Sequence, residues 1–174
     1  MRHRCVSTVA ISAVIGGLVL FGFGGTVNSA LQSDATPEST GATAVEGLVT
    51  LESAYGVAET IDRLEAALEE NGLTVVARID HAKNADGVGE ELRPTQLLIF
   101  GNPELGTALL QSDQTVGIDL PQKFLAWEDE EGRVFLSYND PTFVTRRHGI
   151  ADQDEVVQQT SDALAILAEG ATTP

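Results

Sequence analysis

The residue with the most versatile chemistry in this sequence is His81, which follows a run of alternating apolar residues. Imidazole changes its charge near neutral pH, and it can act as a general acid or base or bind a metal ion. His81 has the same parity as Val75 and Ile79, so we place it at the end of a strand, on the side of the apolar residues. The competing interpretation is structural: a histidine that closes a strand and forms a hydrogen bond with a loop.

Two strand-to-helix junctions carry the other candidate residues. Gly101-Asn102-Pro103 and Asp140-Pro141 each place a capping residue before a proline, which is a strong signal for a helix start. The N-terminus of a helix presents backbone N–H groups and can hold a small anion. We therefore take His81, Gly101, Asn102 and Asp140 as candidate ligand-binding residues, with His81 also the candidate catalytic residue. We expect them to line one cleft at the strand ends; the alternative is that Asn102 and Asp140 only cap their helices.

The common sequence motifs for metal binding and hydrolysis are absent from this sequence. The sequence contains no H-x-x-x-H, H-E-x-x-H or C-x-x-C pattern, so we expect no metal site and no cofactor. No serine stands in a G-x-S-x-G setting, which argues against an ordinary hydrolase. The single cysteine, Cys5, precedes the domain. His148 follows Arg146-Arg147, a basic group that suits a helix C-terminus or could instead meet a carboxylate.

The spacing of apolar residues predicts the elements that position these side chains. Strands are expected from residue 49 and over about 73–81, 96–100, 123–128 and 133–138, and helices over 57–71, 84–91, 102–110, 141–144 and 153–169. Gly72 and Gly170 are the expected helix stops, and Asp152 with Glu155 forms the expected capping box of the last helix. The order predicts an α/β (α+β) domain, a two-layer sandwich with helices packed on one mixed β-sheet.

An uncharged apolar segment, residues 6–27, follows Arg2 and Arg4. We favour an uncleaved membrane anchor, because about 20 apolar residues can cross a bilayer; the alternative is a signal peptide cleaved near residue 30. In both cases the domain is expected outside the cytoplasm, either anchored or secreted. Residues 31–47 have the composition of a flexible linker. The chain is thus divided into an anchor or signal peptide over 1–30, this linker, and a domain over 48–170.

The formal charge is −16, from 26 acidic and 10 basic residues. A surface with this excess of carboxylates stays soluble in high salt, so we expect a halophilic source; an ordinary acidic protein is the alternative. Binding to nucleic acid or to an anionic membrane surface requires clustered Lys or Arg, so neither is an expected partner. Contact with a membrane is expected through residues 6–27 only.

Six short motifs follow one another in a specific order along the domain. They are Ile79-Asp80-His81-Ala82, Leu92-Arg93-Pro94-Thr95, Phe100-Gly101-Asn102-Pro103, Asp119-Leu120-Pro121, Trp127-Glu128-Asp129 and Tyr138-Asn139-Asp140-Pro141. Together they resemble the domain of unknown function 302 family (DUF302) over about residues 49–168. The resemblance implies a compact two-layer α/β domain that often self-associates, so a homodimer is expected. It implies no established reaction, ligand or catalytic residue.

Three classes of function remain open. A non-enzymatic binding or interaction domain is the leading hypothesis, because the sequence shows no activated nucleophile, metal-ligand spacing or cofactor fingerprint. The second is an enzyme that uses His81 as acid or base, with a substrate anion held near Gly101-Asn102. The third is a metal- or haem-binding protein that uses His81 as ligand.

Overall fold

The computed structural model describes residues 45–174, so the apolar segment 6–27 and most of the expected linker lie outside the described residues. The strands are β1 (Leu48–Ser53), β2 (Thr74–Asp80), β3 (Thr95–Gly101), β4 (Gln122–Glu128) and β5 (Val134–Asn139). The helices are α1 (Val57–Glu70), α2 (His81–Asp86), α3 (Pro103–Ser112), α4 (Pro141–Arg147) and α5 (Asp154–Thr172), and a 3-10 helix (Gln114–Ile118) follows α3. The α+β fold and the order of the predicted elements are confirmed; the 3-10 helix was not predicted.

The five-stranded sheet has the order β1-β5-β4-β3-β2 and is antiparallel at every pairing. The prediction of a mixed sheet is therefore wrong. A parallel connection between neighbouring strands requires a crossover that spans the sheet. The connection of residues 81–94 holds only the 6-residue helix α2, and Asp80 pairs with Gln96, so the connection joins adjacent ends of β2 and β3. The chain therefore returns from β2 in the opposite direction, as it also does in the β4–β5 hairpin.

The main core lies between one face of the sheet and helices α1 and α5. From α1, Val57, Ile61, Leu64 and Leu68 recur at helical spacing and are at most 4% exposed. They pack against the alternate residues of the central strands, which are Leu98, Phe100, Phe124, Ala126, Val134, Leu136 and Tyr138. The predicted alternation of β5 is thus confirmed. Burial of this continuous apolar layer fixes the register of the strands, because a slip by one residue would turn each side chain to the other face.

The opposite face of the sheet, which we call the open face, is also apolar. Its alternate residues are Ile79, Leu97, Ile99, Leu125, Trp127 and Phe135. Phe135 is buried and the other five are half-buried, but none belongs to the two hydrophobic clusters found within residues 45–174. Trp127 stacks on Phe135 with ring centroids 4.9 Å apart, and its Nε1 donates to Ser137 Oγ at 3.0 Å. The pairing of Leu125 with Trp127 on one strand face is as predicted.

Two predicted helix boundaries and one predicted helix cap are wrong. Helix α2 begins at His81 rather than at residue 84, because the Asp80 carboxylate accepts a hydrogen bond from Lys83 N at 2.9 Å and caps the helix there. Helix α5 continues through Gly170 to Thr172, which is buried. Asp152 does not cap α5; it accepts a hydrogen bond from Ser112 Oγ at 2.6 Å, and no side chain caps that helix.

Candidate functional site

His81 is the first residue of α2 and is half-buried at the end of β2. In the antiparallel pair of β2 and β3, Asp80 lies opposite Gln96, and Thr74 lies opposite Gly101. The end of β2 and the end of β3 therefore lie at opposite ends of the sheet. The expectation that His81 and Asn102 line one cleft is wrong. It assumed strand ends on one side of the sheet, which holds for parallel neighbours and fails for antiparallel ones.

Asn102 and Asp140 do lie at one end of the sheet, because β3 and β5 both run antiparallel to β4. Asn102 Oδ1 accepts hydrogen bonds from Glu104 N at 2.9 Å and Leu105 N at 3.4 Å, and Asp140 Oδ1 accepts one from Thr142 N at 2.8 Å. A proline without an N–H occupies the first position of each helix. The caps therefore occupy backbone donors that an anion would use. Both residues act as helix caps, and an anion at either place stays a prediction.

An apolar cleft opens at this same end of the sheet, between α3, α5 and the adjoining ends of β2 and β3. Its volume is about 480 Å³. Leucine is the most frequent residue in its wall, which includes Leu73, Leu105, Leu109, Leu120, Leu164 and Leu167. Gly101 and Asn102 belong to the wall, whereas His81 and Asp140 do not. None of the described residues that line the cleft is charged, so its interior favours uncharged atoms.

The hydroxyl groups on the cleft wall are largely used within the fold. Thr107 Oγ1 donates to Pro103 O at 2.6 Å, and Thr160 Oγ1 donates to Val156 O at 2.7 Å. The lining side chains of Thr74 and Gln122 form no hydrogen bond within residues 45–174. These two residues pair with Gly101 and Phe100 and so flank the end of β3. One edge of the cleft therefore offers a hydroxyl and an amide to a ligand.

A group of polar side chains, which we call the His148 network, lies beside the cleft. It consists of Asp113, Thr115, Asp119 and His148, and it joins the C-terminus of α4 to the 3-10 helix. His148 Nε2 lies 2.6 Å from Asp119 Oδ2, and Nδ1 lies 2.8 Å from Thr115 Oγ1. Thr115 Oγ1 also donates to Asp113 Oδ1 at 2.6 Å. The sequence indicated a carboxylate near the basic group as one alternative, but it did not identify Asp119 or Thr115.

The His148 network resembles a nucleophile–histidine–carboxylate triad in composition only. A hydroxyl has one proton, and that of Thr115 is directed to Asp113 rather than to His148. Histidine thus does not act as base toward this hydroxyl, as nucleophile activation would require. The hydroxyl and the backbone N–H of Thr115 also hold the pKa of Asp113 below its ordinary value. The geometry indicates a structural connection rather than a catalytic centre.

Metal-binding and membrane-spanning features were sought within residues 45–174. No three His, Cys, Asp or Glu side chains in this range come together in a way that could hold a metal ion. His81 and His148 lie at opposite ends of the sheet, since His148 contacts Asp119, just before β4 begins at Gln122. No helix in the same range is both long and apolar enough to cross a bilayer.

Similarity to known proteins extends over most of the domain. The crystal structure of an uncharacterized conserved protein DUF302 from Bacillus stearothermophilus matches with a TM-score of 0.66 at 22% identity, and covers 73% of this chain and 99% of that one. The neighbour thus consists almost wholly of this fold. In the present protein, both hydrophobic clusters lie within residues 45–174, so this segment is expected to fold alone.

Two longer relatives are named as fluoride-specific ion channels. The fluoride-specific ion channel FluC 1 of Brucella suis biovar 1 (strain 1330) is 47% identical over 110 residues, which is 63% of this chain and 43% of that protein. FluC 1 of Brucella abortus biovar 1 (strain 9-941) is also 47% identical over 110 residues, 41% of its length. The chain thus spans less than half of these relatives. The sequence model described as "Domain of unknown function DUF302" matches residues 49–167, well over half of the chain, and the protein therefore belongs to the DUF302 family.

Proposed function

We propose that the domain is a non-enzymatic binding module that takes a small, uncharged and mainly apolar molecule in the cleft beside α3 and α5. The observation that carries the proposal is the cleft itself, which measures about 480 Å³ and has a leucine-rich wall. Small-molecule sites in proteins typically enclose roughly 300–1,000 Å³ and combine apolar walls with a few polar groups. The cleft matches this description in both size and lining.

The lining defines the chemical class of the ligand. Apolar surface removed from water contributes about 25 cal/mol per Å², so the leucine wall favours an aliphatic or aromatic body. Thr74 and Gln122 at the edge favour one neutral hydrogen-bonding group on the ligand, such as a hydroxyl or an amide. A charged ligand would find no opposite charge on the lining and would lose its hydration. The anionic ligand expected from the sequence is therefore disfavoured here.

The enzyme hypothesis finds less support in this geometry. His81 lies at the far end of the sheet from the cleft, and no side chain that lines the cleft titrates near neutral pH. A general acid or base must come within hydrogen-bonding reach of the substrate proton. His81 cannot reach a molecule bound beside Gly101-Asn102. A binding role for the cleft requires none of these groups.

The test uses the neutral fluorescent probe N-phenyl-1-naphthylamine with the segment 45–174. Ala163 lines the cleft on α5, and Ala165, two residues later on the same helix, is exposed and does not line it. We expect A163W to weaken probe binding by about tenfold or more, because the indole fills the space that the probe needs. The control A165W should bind like the wild type. Equal binding by both variants, or no binding by the folded wild type, would contradict the proposal.

We further propose that this module is held at the outer face of a membrane by residues 6–27. The support is the uncharged apolar segment after Arg2 and Arg4 and the similarity to proteins named as fluoride-specific ion channels. Fractionation of cells that express the full chain tests the location. Recovery of a soluble species beginning near Leu31 would replace the anchor with a cleaved signal peptide.

A homodimer is the partner that we propose. Its support is the open face, on which aromatic and aliphatic side chains remain outside both hydrophobic clusters. Sheet faces of this kind are stabilised when another apolar layer covers them.

A further inference from the structure

We infer that the His148 network is a proton-dependent latch on the cleft: a protonated His148 completes the hydrogen bonds that hold the 3-10 helix in place, and loss of the proton removes one of them and loosens the helix. The inference concerns regulation of the cleft and rests on the function proposed above. It depends on the number of protons that the observed hydrogen bonds require and on the position of the 3-10 helix in the cleft wall.

Counting protons shows which form of the ring fits the network. Thr115 Oγ1 donates to Asp113 Oδ1, so toward His148 this oxygen can only accept, and Nδ1 must carry a proton. Asp119 Oδ2 is a carboxylate oxygen 2.6 Å from Nε2, so Nε2 must carry a proton as well. Only the imidazolium donates from both nitrogens. The complete network therefore requires a charged ring.

The charged groups around the ring favour the same form. The carboxylates of Asp113 and Asp119 face it from the two ends of the 3-10 helix, and its side chain is only 8% exposed. Arg147 Nη1 lies 3.2 Å from Asp119 Oδ1, and Lys123 Nζ donates to Asp119 O at 2.7 Å. Burial lowers the pKa of Lys123, against the attraction of Asp119. The ring thus contacts the Asp119 carboxylate directly and is linked to the Asp113 carboxylate through the Thr115 hydroxyl.

Removal of the ring proton must break one connection. A neutral ring that still donates to Asp119 can accept from Thr115, but the Thr115 hydroxyl then no longer donates to Asp113. The two oxygens, now 2.6 Å apart without a proton between them, repel each other. Asp113, which caps the 3-10 helix, keeps only the hydrogen bond from Thr115 N at 2.7 Å. If the ring donates to Thr115 instead, the contact with Asp119 is lost. The network is therefore complete at acidic pH and incomplete at alkaline pH.

The 3-10 helix connects this event to the cleft. Its Val116 is fully buried, and the following Gly117 lines the cleft. A Cβ at Gly117 would come within 3.2 Å of Leu110 Cδ2, so the helix packs closely on α3. Leu120, directly after Asp119, also lines the cleft. Loosening of the connection to Asp113 or Asp119 therefore loosens one wall, and a bound molecule is expected to leave faster.

The experiment compares the segment 45–174 with H148Q and with the matched control H81Q, which removes the histidine at the other end of the sheet. Two readouts are taken at pH 6 and pH 9: the dissociation rate of N-phenyl-1-naphthylamine, and the hydrogen exchange of residues 114–118, corrected for intrinsic exchange. In wild type and H81Q, we expect both rates to rise about fivefold with pH, the effect of one lost hydrogen bond. In H148Q, neither rate should change with pH. The second variant T115V lacks the hydroxyl and should exchange fast at both pH values.

The same pH-dependent rise in H148Q as in wild type would overturn the latch, and so would a wild type whose two rates do not change with pH. If H148Q does not fold, T115V decides: pH-dependent exchange as large as in wild type would overturn the latch. If the probe binds at neither pH, the proposed function fails, and exchange of residues 114–118 alone then tests the latch. Latch and ligand site can therefore fail separately.

Discussion

Asp129 shows how a single carboxylate fixes the hairpin that aligns the centre of the sheet. Its Oδ1 accepts hydrogen bonds from Glu131 N at 3.0 Å and Arg133 N at 2.8 Å, and its Oδ2 accepts one from Arg133 Nε at 2.8 Å. Burial works to raise the pKa of Asp129, but the backbone N–H and the guanidinium of Arg133 outweigh it, and the pKa lies below its ordinary value. Gly132 in the same loop has a φ of 77°, which glycine adopts without strain.

The charge of Asp129 is expected to contribute to stability in a defined pH range. Because the folded state depresses its pKa, the contribution is present above the unfolded pKa of about 3.9 and is lost as the pH falls through the folded value. We therefore expect D129N to melt at a lower temperature than wild type at pH 7, with a difference that shrinks below about pH 4. Melting curves of the segment 45–174 over this range measure it. A difference that stays constant down to pH 2 would assign the effect to the lost geometry alone.

At the scale of elements, the sequence predicts the helices and strands well because their signals are local. Helical spacing identified α1, and the cap-plus-proline pairs marked the starts of α3 and α4. Whether neighbouring strands run parallel or antiparallel depends on contacts between residues far apart in the sequence. The antiparallel pairing of β2 and β3 places His81 and Asn102 at opposite ends of the sheet. The cleft could not be predicted for the same reason. Its lining comes from β2, β3, β4, α3, the 3-10 helix and α5, and no one of these segments carries a motif for it.

The open face is the element-scale surface where we predict self-association. Leu125 lies at its centre on β4, opposite Leu97 on one neighbouring strand and Ser137 on the other. A buried glutamate there would lose its hydration, so we expect L125E to weaken the dimer by about tenfold or more. The control is L92E, at a loop residue that is 49% exposed. Sedimentation velocity measures the state of the segment 45–174, and Trp127, the only tryptophan, reports on the face by its emission.

Sedimentation of the wild type as a monomer at all accessible concentrations would contradict the dimer. If L125E dimerises as tightly as the wild type, the protein is a dimer, but the open face is not its interface. In either case the cleft, which lies on the helical side of the sheet, keeps its own test.

At the scale of the whole molecule, the charge is concentrated in the folded domain. Arg2 and Arg4 balance Asp34 and Glu38 in residues 1–44, so the net charge of −16 belongs to residues 45–174. Several basic side chains are already paired, such as Arg78, which contacts the carboxylates of Asp62 and Glu65 at 2.6 and 2.8 Å. Exposed pairs of this kind contribute little, about 0–1 kcal/mol each. The unpaired carboxylates therefore dominate the electrostatic free energy of the folded domain.

Salt should stabilise this domain by screening carboxylate repulsion. The Debye length falls from about 10 Å at 0.1 M to about 3 Å at 1 M salt, so repulsion between neighbouring carboxylates weakens strongly over this range. We expect the melting temperature of the segment 45–174 at pH 7 to rise by roughly 5 °C or more between millimolar and molar KCl.

The control is the same comparison near pH 3, where most carboxylates are protonated and the salt effect should largely disappear. Equal midpoints at pH 7 would contradict adaptation to high salt. A rise of the same size at both pH values would attribute the effect to apolar burial, which salts also strengthen, and not to charge.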